Sequence, residues 1–151
     1  MTDFWKVIGS SSVQDESEID SALERISGEL SALAPDALTH FVERLRESLY
    51  RIDRRDLAEV PVVLANGLKL PQTSDHFLYA RCACILAGER VYGDVLSSGV
   101  GFERFGAPFG QEAEGLLHLA SEEYERKTAS RMNVESFFSI ESRSNIQGWV
   151  D

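Results

Sequence analysis

An arginine in the middle of an apolar helical pattern constrains this chain more than any other residue. From Ser74 to Leu96 the sequence reads SDHFLYARCACILAGERVYGDVL, and Arg81 shares a helix face with Phe77 before it and Ile85 after it. Phe77, Ala80, Cys84 and Gly88 mark that face, and Leu78 and Cys82 widen it. A helix apolar over most of its circumference is expected at the centre of a fold. A guanidinium placed there needs a partner, because an unpaired buried charge is not tolerated. Asp56 and Asp75 are the natural candidates. The structural reading is an internal ion pair fastening a third helix to this fourth one. The functional reading is an anion-binding arginine at the mouth of a groove. Ser74 reads as the N-cap, Gly88 as a break, and Glu89 to Leu96 as a further short helix.

The rest of the chain reads as helices around this one. Asp3 to Ile8 forms a short opening helix ended by Gly9, with Phe4, Val7 and Ile8 on one face and Trp5 beside it. Asp15 and Glu18 have capping-box spacing ahead of Ile19, Ala22, Leu23, Ile26, Leu30 and Leu33, an amphipathic helical period. Pro35 opens the next helix, with Leu38, Phe41, Val42, Leu45 and Leu49 as its buried stripe. The tight joint between these two predicts a helical hairpin. Asp53 and Asp56 are candidate caps of a third helix reaching about Ala65, kinked or divided at Pro61 and ended by Asn66-Gly67, with Leu68 to Thr73 as a connector. Ser97 to Gly110 is a glycine-rich loop pinned by Phe102, Phe105 and Phe109. Gln111 to about Lys127 reads as a helix with Ala113, Leu116, Leu117, Ala120 and Tyr124 inward. From Arg131 to Asp151 no helical period survives. Val134 to Ile140 has an extended pattern, and Phe137, Phe138 and Trp149 are expected to dock an ordered irregular tail.

Charge limits the function classes. The chain carries a net charge of −10 over 151 residues, which opposes nucleic-acid and anionic-membrane binding, since both rely on excess Lys and Arg. It suits a basic protein partner. Five arginines from Arg44 to Arg55 face four acids between Glu43 and Asp56, so that stretch reads as a salt-bridged solvent face. No apolar run approaches the ~20 residues that span a bilayer. The opening MTDFWKVIG lacks the form of a signal peptide, so a cytoplasmic location is expected. Cys82 and Cys84 are the only cysteines and point about 200° apart on a helix, so they read as two core thiols.

Catalytic patterns are missing. The three histidines, His40, His76 and His118, fit no HxH, HExxH or related metal spacing. His118 and Glu122 share a helix face, a spacing common by chance. Asp75 and His76 could exchange protons, but an acid in a first helical turn serves as a cap without further chemistry. Gly99-Val100-Gly101 and Gly106 to Gly110 lack the Lys-Ser/Thr and the strand–turn–helix context of phosphate loops. No cofactor and no metal is called for. Glu112, Glu114, Glu122 and Glu123, with Glu125 nearby, form a candidate acidic docking face that acids from Asp15 to Asp20 could extend.

Several separated motifs carry a family resemblance. They begin at Phe4-Trp5, Leu33-Ala34-Pro35 with Phe41, Leu49-Tyr50, Asp56-Leu57 and Asn66-Gly67. They are densest at Ser74-Asp75, Phe77, Tyr79-Ala80-Arg81, Gly88 and Tyr92. They resume at Ala113 to Leu117, Ala120 and Tyr124 to Thr128, and end at Ser144-Asn145 and Gly148-Trp149. In this order they resemble the bacterial domain of unknown function 4240 family over nearly the whole chain. His76 stands where many relatives carry a second acid, and Ala80 where many carry an aromatic. The resemblance implies a fold and a set of signature residues, among them Asp56, Asp75, Arg81 and Tyr92, and no activity.

The expectation is therefore an all-α single domain over residues 1–151, an irregular or orthogonal bundle of six or seven helices with an ordered non-helical C-terminal tail. Its expected role is a non-enzymatic interaction module of accessory, regulatory or immunity type, working through acidic helix faces. The alternative is a small-molecule-binding or enzymatic domain. Its site would lie between the Asp75–Arg81 helix and the glycine–phenylalanine loop, near Arg90 and Tyr92.

Overall fold

Helix α5 is the axis on which the other elements pack. In the computed structural model, which describes residues 3–134 and 137–150, the elements run α1 (Phe4–Ile8), α2 (Glu16–Ser31), α3 (Pro35–Arg51) and α4 (Arg55–Ala58). Strands β1 (Val62–Val63) and β2 (Lys69–Leu70) follow, then α5 (Ser74–Leu86) and α6 (Glu89–Ser98). Two 3-10 runs (Phe102–Gly106 and Pro108–Leu117) lead to α7 (Leu119–Thr128), and the tail carries α8 (Ile146–Trp149). The fold is mostly α, as the helical periods predict.

From Leu78 to Leu86 every α5 residue except Tyr79 is buried, because both 3-10 runs, α3 and α6 surround it. Its N-cap is Thr73, whose hydroxyl accepts from the His76 amide at 3.0 Å, one residue earlier than expected. The apolar stripes of α2 and α3 are buried as their spacing requires, with Ile19, Ala22, Ile26 and Leu30 on one and Leu38, Phe41, Leu45 and Leu49 on the other. Asp15 caps α2 by accepting from the Glu18 amide at 2.9 Å. The predicted α2–α3 hairpin does not form. Helix α7 packs on both, and the second 3-10 run packs on α2. Lys127 of α7 donates to the Ser31 and Leu33 carbonyls, at 2.6 and 2.5 Å, and so closes the end of α2.

Four further expectations change. The third helix stops at Ala58, and beyond Pro61 the chain turns back as an antiparallel hairpin, pairing Val62 with Leu70 and Val63 with Lys69. Proline ends the helical bonding, β-branched valines follow, and Gly67 takes a φ of 84° in the Asn66-Gly67 turn. The helix expected from Gln111 is 3-10 up to Leu117 and α only from Leu119. The bundle has eight α-helices among the described residues, counting the single turn of α8 inside a tail expected to hold none. Of the tail aromatics, Phe138 packs on Tyr50 and Trp149 on Phe77, whereas Phe137 is fully exposed. Residues 135 and 136, inside the stretch expected to be extended, lie outside the described residues, as does Asp151.

Candidate functional site

Arg81 and Asp53 are both completely buried, and both face the C-terminal turn of α3. The last carbonyls of a helix have no partner within it and carry its partial negative charge. Here three of them are met, each from a different part of the chain. The Tyr92 hydroxyl of α6 donates to Ser48 O at 2.7 Å. Arg81 of α5 donates to Leu49 O at 2.9 Å. Asn145 Nδ2 of the tail donates to Tyr50 O at 3.0 Å.

Arg81 also reaches Ile140 O at 3.0 Å and Ser142 Oγ at 3.2 Å, and its guanidinium lies 4.6 Å over the Phe77 ring. Burial pulls its pKa down, and the Asp53 carboxylate opposes that shift. The Asp53 carboxylate accepts three bonds from the tail: Arg143 N at 3.0 Å, Asn145 N at 2.9 Å and Trp149 Nε1 at 2.8 Å. Gly148 is needed there, because a Cβ would come within 2.6 Å of Asp53 O.

The expected ion pairs of Arg81 are thus replaced. Asp56 pairs instead with Arg54, at 3.0 Å, and Arg54 closes the end of α6 through Val95 O and Leu96 O. Asp75 is exposed in the first turn of α5. No carboxylate comes within 4.0 Å of Arg81 among the described residues. Asp53, read from sequence as a cap on a solvated stretch, is the acid that shares this buried centre. Its position directly after an apolar helix end, Leu49 and Ile52, is the only local sign of that role. Of the four expected signature residues, only Arg81 and Tyr92 converge, on the adjacent Leu49 and Ser48 carbonyls.

A second arrangement lies on the surface. Val62 and its cross-strand partner Leu70 share one face of the hairpin and line a groove with Tyr79 and Gln111. Asp75 and His76 line it too. Gln111 also lines an adjoining groove with Glu112, Glu114 and His118. Burial, then the Glu114 and Asp75 carboxylates, push the Tyr79 phenol above its ordinary pKa, so both acids act on this one side chain. Leu70 is 42% exposed, and Val63 and Leu68 are exposed as well. Leu70 and Gln111 were not expected from sequence at a site, and Tyr79 stood out only as part of the Tyr79-Ala80-Arg81 motif. The signal available was the Asn66-Gly67 turn between two apolar pairs.

Of the remaining acids, Glu122 is exposed on α7. Glu123 is engaged by Arg126 and Lys127, and its pKa is lowered by the hydrogen bond from Arg126. Cys82 and Cys84 are buried, and burial pushes each thiol up to about 12, which removes thiolate chemistry at neutral pH. Among the described residues no group of three or more His, Cys, Asp or Glu could hold a metal ion. No helix of the described residues is long and apolar enough to cross a membrane. The space between α5 and the glycine–phenylalanine segment is filled, with Phe102 and Phe105 buried and Phe102 edge-on to Phe77 at 6.1 Å.

Among known families, one described as protein of unknown function (DUF4240) matches residues 1–126, from the start of the chain into α7. Neither a curated protein nor a solved structure matches.

Proposed function

Because the chain belongs to the DUF4240 family, whose description states no activity, we propose a function from its own surface: a protein-interaction module that docks a basic partner segment beside the β hairpin. The observation that carries this reading is the continuity of the two grooves through Gln111. One half offers Val62, Leu70 and Tyr79 to an apolar side chain. The other offers Glu112 and Glu114, with Asp75 close by, to Lys or Arg. Exposed apolar residues gathered at one place mark an interaction surface more than scattered ones do. The net charge of −10 steers such a partner toward the protein from a distance. The role is accessory, regulatory or of immunity type, and the protein acts by binding. The enzymatic alternative loses its expected place, because phenylalanines fill the contact between α5 and the first 3-10 run.

The test is capture from a cell lysate with a photo-crosslinking residue at Gln111, run beside Leu70→Glu and the double variant Glu112→Lys, Glu114→Lys. A basic partner crosslinked through an apolar–basic segment is expected. Its capture should weaken as salt rises, through screening, and be lost in both variants. A partner retained equally by both variants would place the docking surface elsewhere and overturn the reading.

A further inference from the structure

The β hairpin has two edges, and they differ. Leu64 N donates to Leu68 O at 2.9 Å, which makes these two a bonded pair. Bonded and unbonded pairs alternate along an antiparallel ladder. Val62 and Leu70 are therefore the next bonded pair, and between them Val63 and Lys69 stand opposite each other unbonded. The N–H and C=O of Val63 and Lys69 thus point outward, each away from the other strand. On the β1 side the first 3-10 run closes on the edge, where a Cβ at Gly106 would come within 3.2 Å of Pro61 O. On the β2 side Leu68, Lys69, Leu70 and Pro71 are all exposed. The outward N–H and C=O of Lys69 have no hydrogen-bond partner among the described residues. Pro71 has no N–H to offer, so the open edge centres on Lys69.

An open edge is a template for another strand. Side chains of an added strand alternate, so every second one falls on the groove face with Val62 and Leu70, and the others fall on the face of Lys69. The groove face offers Leu70 and Tyr79 and, past Gln111, Glu112 and Glu114. It suits an apolar residue and a basic one two positions apart. On the opposite face the Lys69 ammonium repels a basic residue and accepts a neutral one. A second copy of this chain is the wrong occupant. Two β2 edges paired about Lys69 would set Lys69 against Lys69 and join two chains of net charge −10.

We infer that the partner binds by adding a strand to β2: an extended segment whose backbone bonds the N–H and C=O of Lys69, with apolar and basic side chains on its groove face and neutral ones beside Lys69. The inference rests on the docking surface proposed above and gives it a binding mode. Main-chain bonds to the edge supply affinity, and the alternate side chains select the partner.

The test follows the backbone amide resonances of the full chain during titration with the blocked peptide Lys-Thr-Val-Thr-Lys. This peptide carries valine and both lysines on one face, whichever way it runs. A reordered peptide, Thr-Lys-Val-Lys-Thr, has the same composition but sets valine and lysine on opposite faces. A third peptide is the first with its central amides N-methylated, which keeps every side chain and charge. A saturable shift centred on Lys69 and Leu70 is expected with the first peptide, with slower hydrogen exchange at the Lys69 amide. The reordered and N-methylated peptides should each bind more weakly by about tenfold or more, the scale of two backbone hydrogen bonds. Lys69→Pro removes the outward N–H and spares the ladder, a substitution that an edge strand accepts, and it should lose binding. The N-methylated peptide decides the matter even if that variant disturbs the hairpin. No saturable shift with the first peptide, or a shift that spares Lys69, or equal binding of the N-methylated peptide, would overturn the inference. If the first and N-methylated peptides bind equally and both are lost in Leu70→Glu, the docking surface stands and only the added strand falls. If Leu70→Glu leaves the binding of both unchanged, the docking surface falls with it.

Discussion

At the C-terminal turn of α3, the three carbonyls of Ser48, Leu49 and Tyr50 are each met by a side chain brought from elsewhere, and the two charges beside them are wholly buried. At the hairpin groove the pattern is reversed. Leu70 stands 42% exposed, Glu112 and Glu114 face solvent, and nothing among the described residues covers them. Both regions combine apolar surface with charge. In the first, the charges complete a helix end and fasten a tail, so their work is internal. In the second, apolar and acidic groups share a surface that stays open to solvent, although Glu114 also bonds Tyr79. The pairing teaches where to separate architecture from action: Arg81 and Tyr92, the most suggestive residues of the sequence, belong to the architecture.

Four measurements would break or sharpen this contrast. Arg81→Met should cost about 3–5 kcal/mol, because it opens the Leu49 and Ile140 carbonyls and leaves Asp53 without its opposing charge. A urea titration reads it, and a variant as stable as the parent would remove Arg81 from the architectural group.

Alkali should act on the same interior. Tyr92 is raised to about 12 by burial, as are Cys82 and Cys84. These acids are neutral in the fold, so the stability they contribute is complete below their unfolded values, near pH 9 for the thiols and 10 for the phenol, and drains away as pH climbs through 12. Tyr92 alone accounts for roughly 2–3 kcal/mol of that loss, which Tyr92→Phe should remove from the stability profile between pH 10 and 12.

Gly148→Ala should cost about 1–3 kcal/mol, since its Cβ cannot fit against Asp53 O and the tail must shift. Faster hydrogen exchange at the Trp149 indole would show it, and unchanged exchange would mean that the tail tolerates the added methyl. The smallest effect belongs to the groove. Leu70→Glu should change stability by less than about 0.5 kcal/mol while abolishing partner capture. A large loss of stability would make the hairpin architecture too.

Much of this was readable in advance, and what was not has a physical reason. The stripes of α2 and α3 and the all-round apolar α5 follow from side-chain spacing alone, because helix periodicity is local. The hairpin escaped because two-residue strands are too short to display alternation, so Pro61 looked like a kink or a division between two short helices and not the end of helical structure. The 3-10 run passed for an α-helix because its apolar residues Ala113, Leu116 and Leu117 span little more than one turn, too short a stretch to tell spacing of three from spacing of four. Arg81 announced that it needed partners, but those partners are mostly backbone carbonyls, which leave no mark on a sequence. Asp53 was misplaced because counting neighbouring charges describes a surface, and its own donors lie 90 to 96 residues away. Of the candidate site, the acids Glu112 and Glu114 were visible, and the apolar half beside them was not.

That separation along the chain also sets an order of assembly. Helix α3 can wind as soon as it exists, yet its final turn waits for residue 81, then 92, then 145. Contacts across such distances are slow to find, since loop closure must precede any gain from them. The segment from 140 to 149 therefore closes last, over a bundle already formed, as a clasp closes a finished case. Until it does, an aspartate and an arginine stand open to water at the seam.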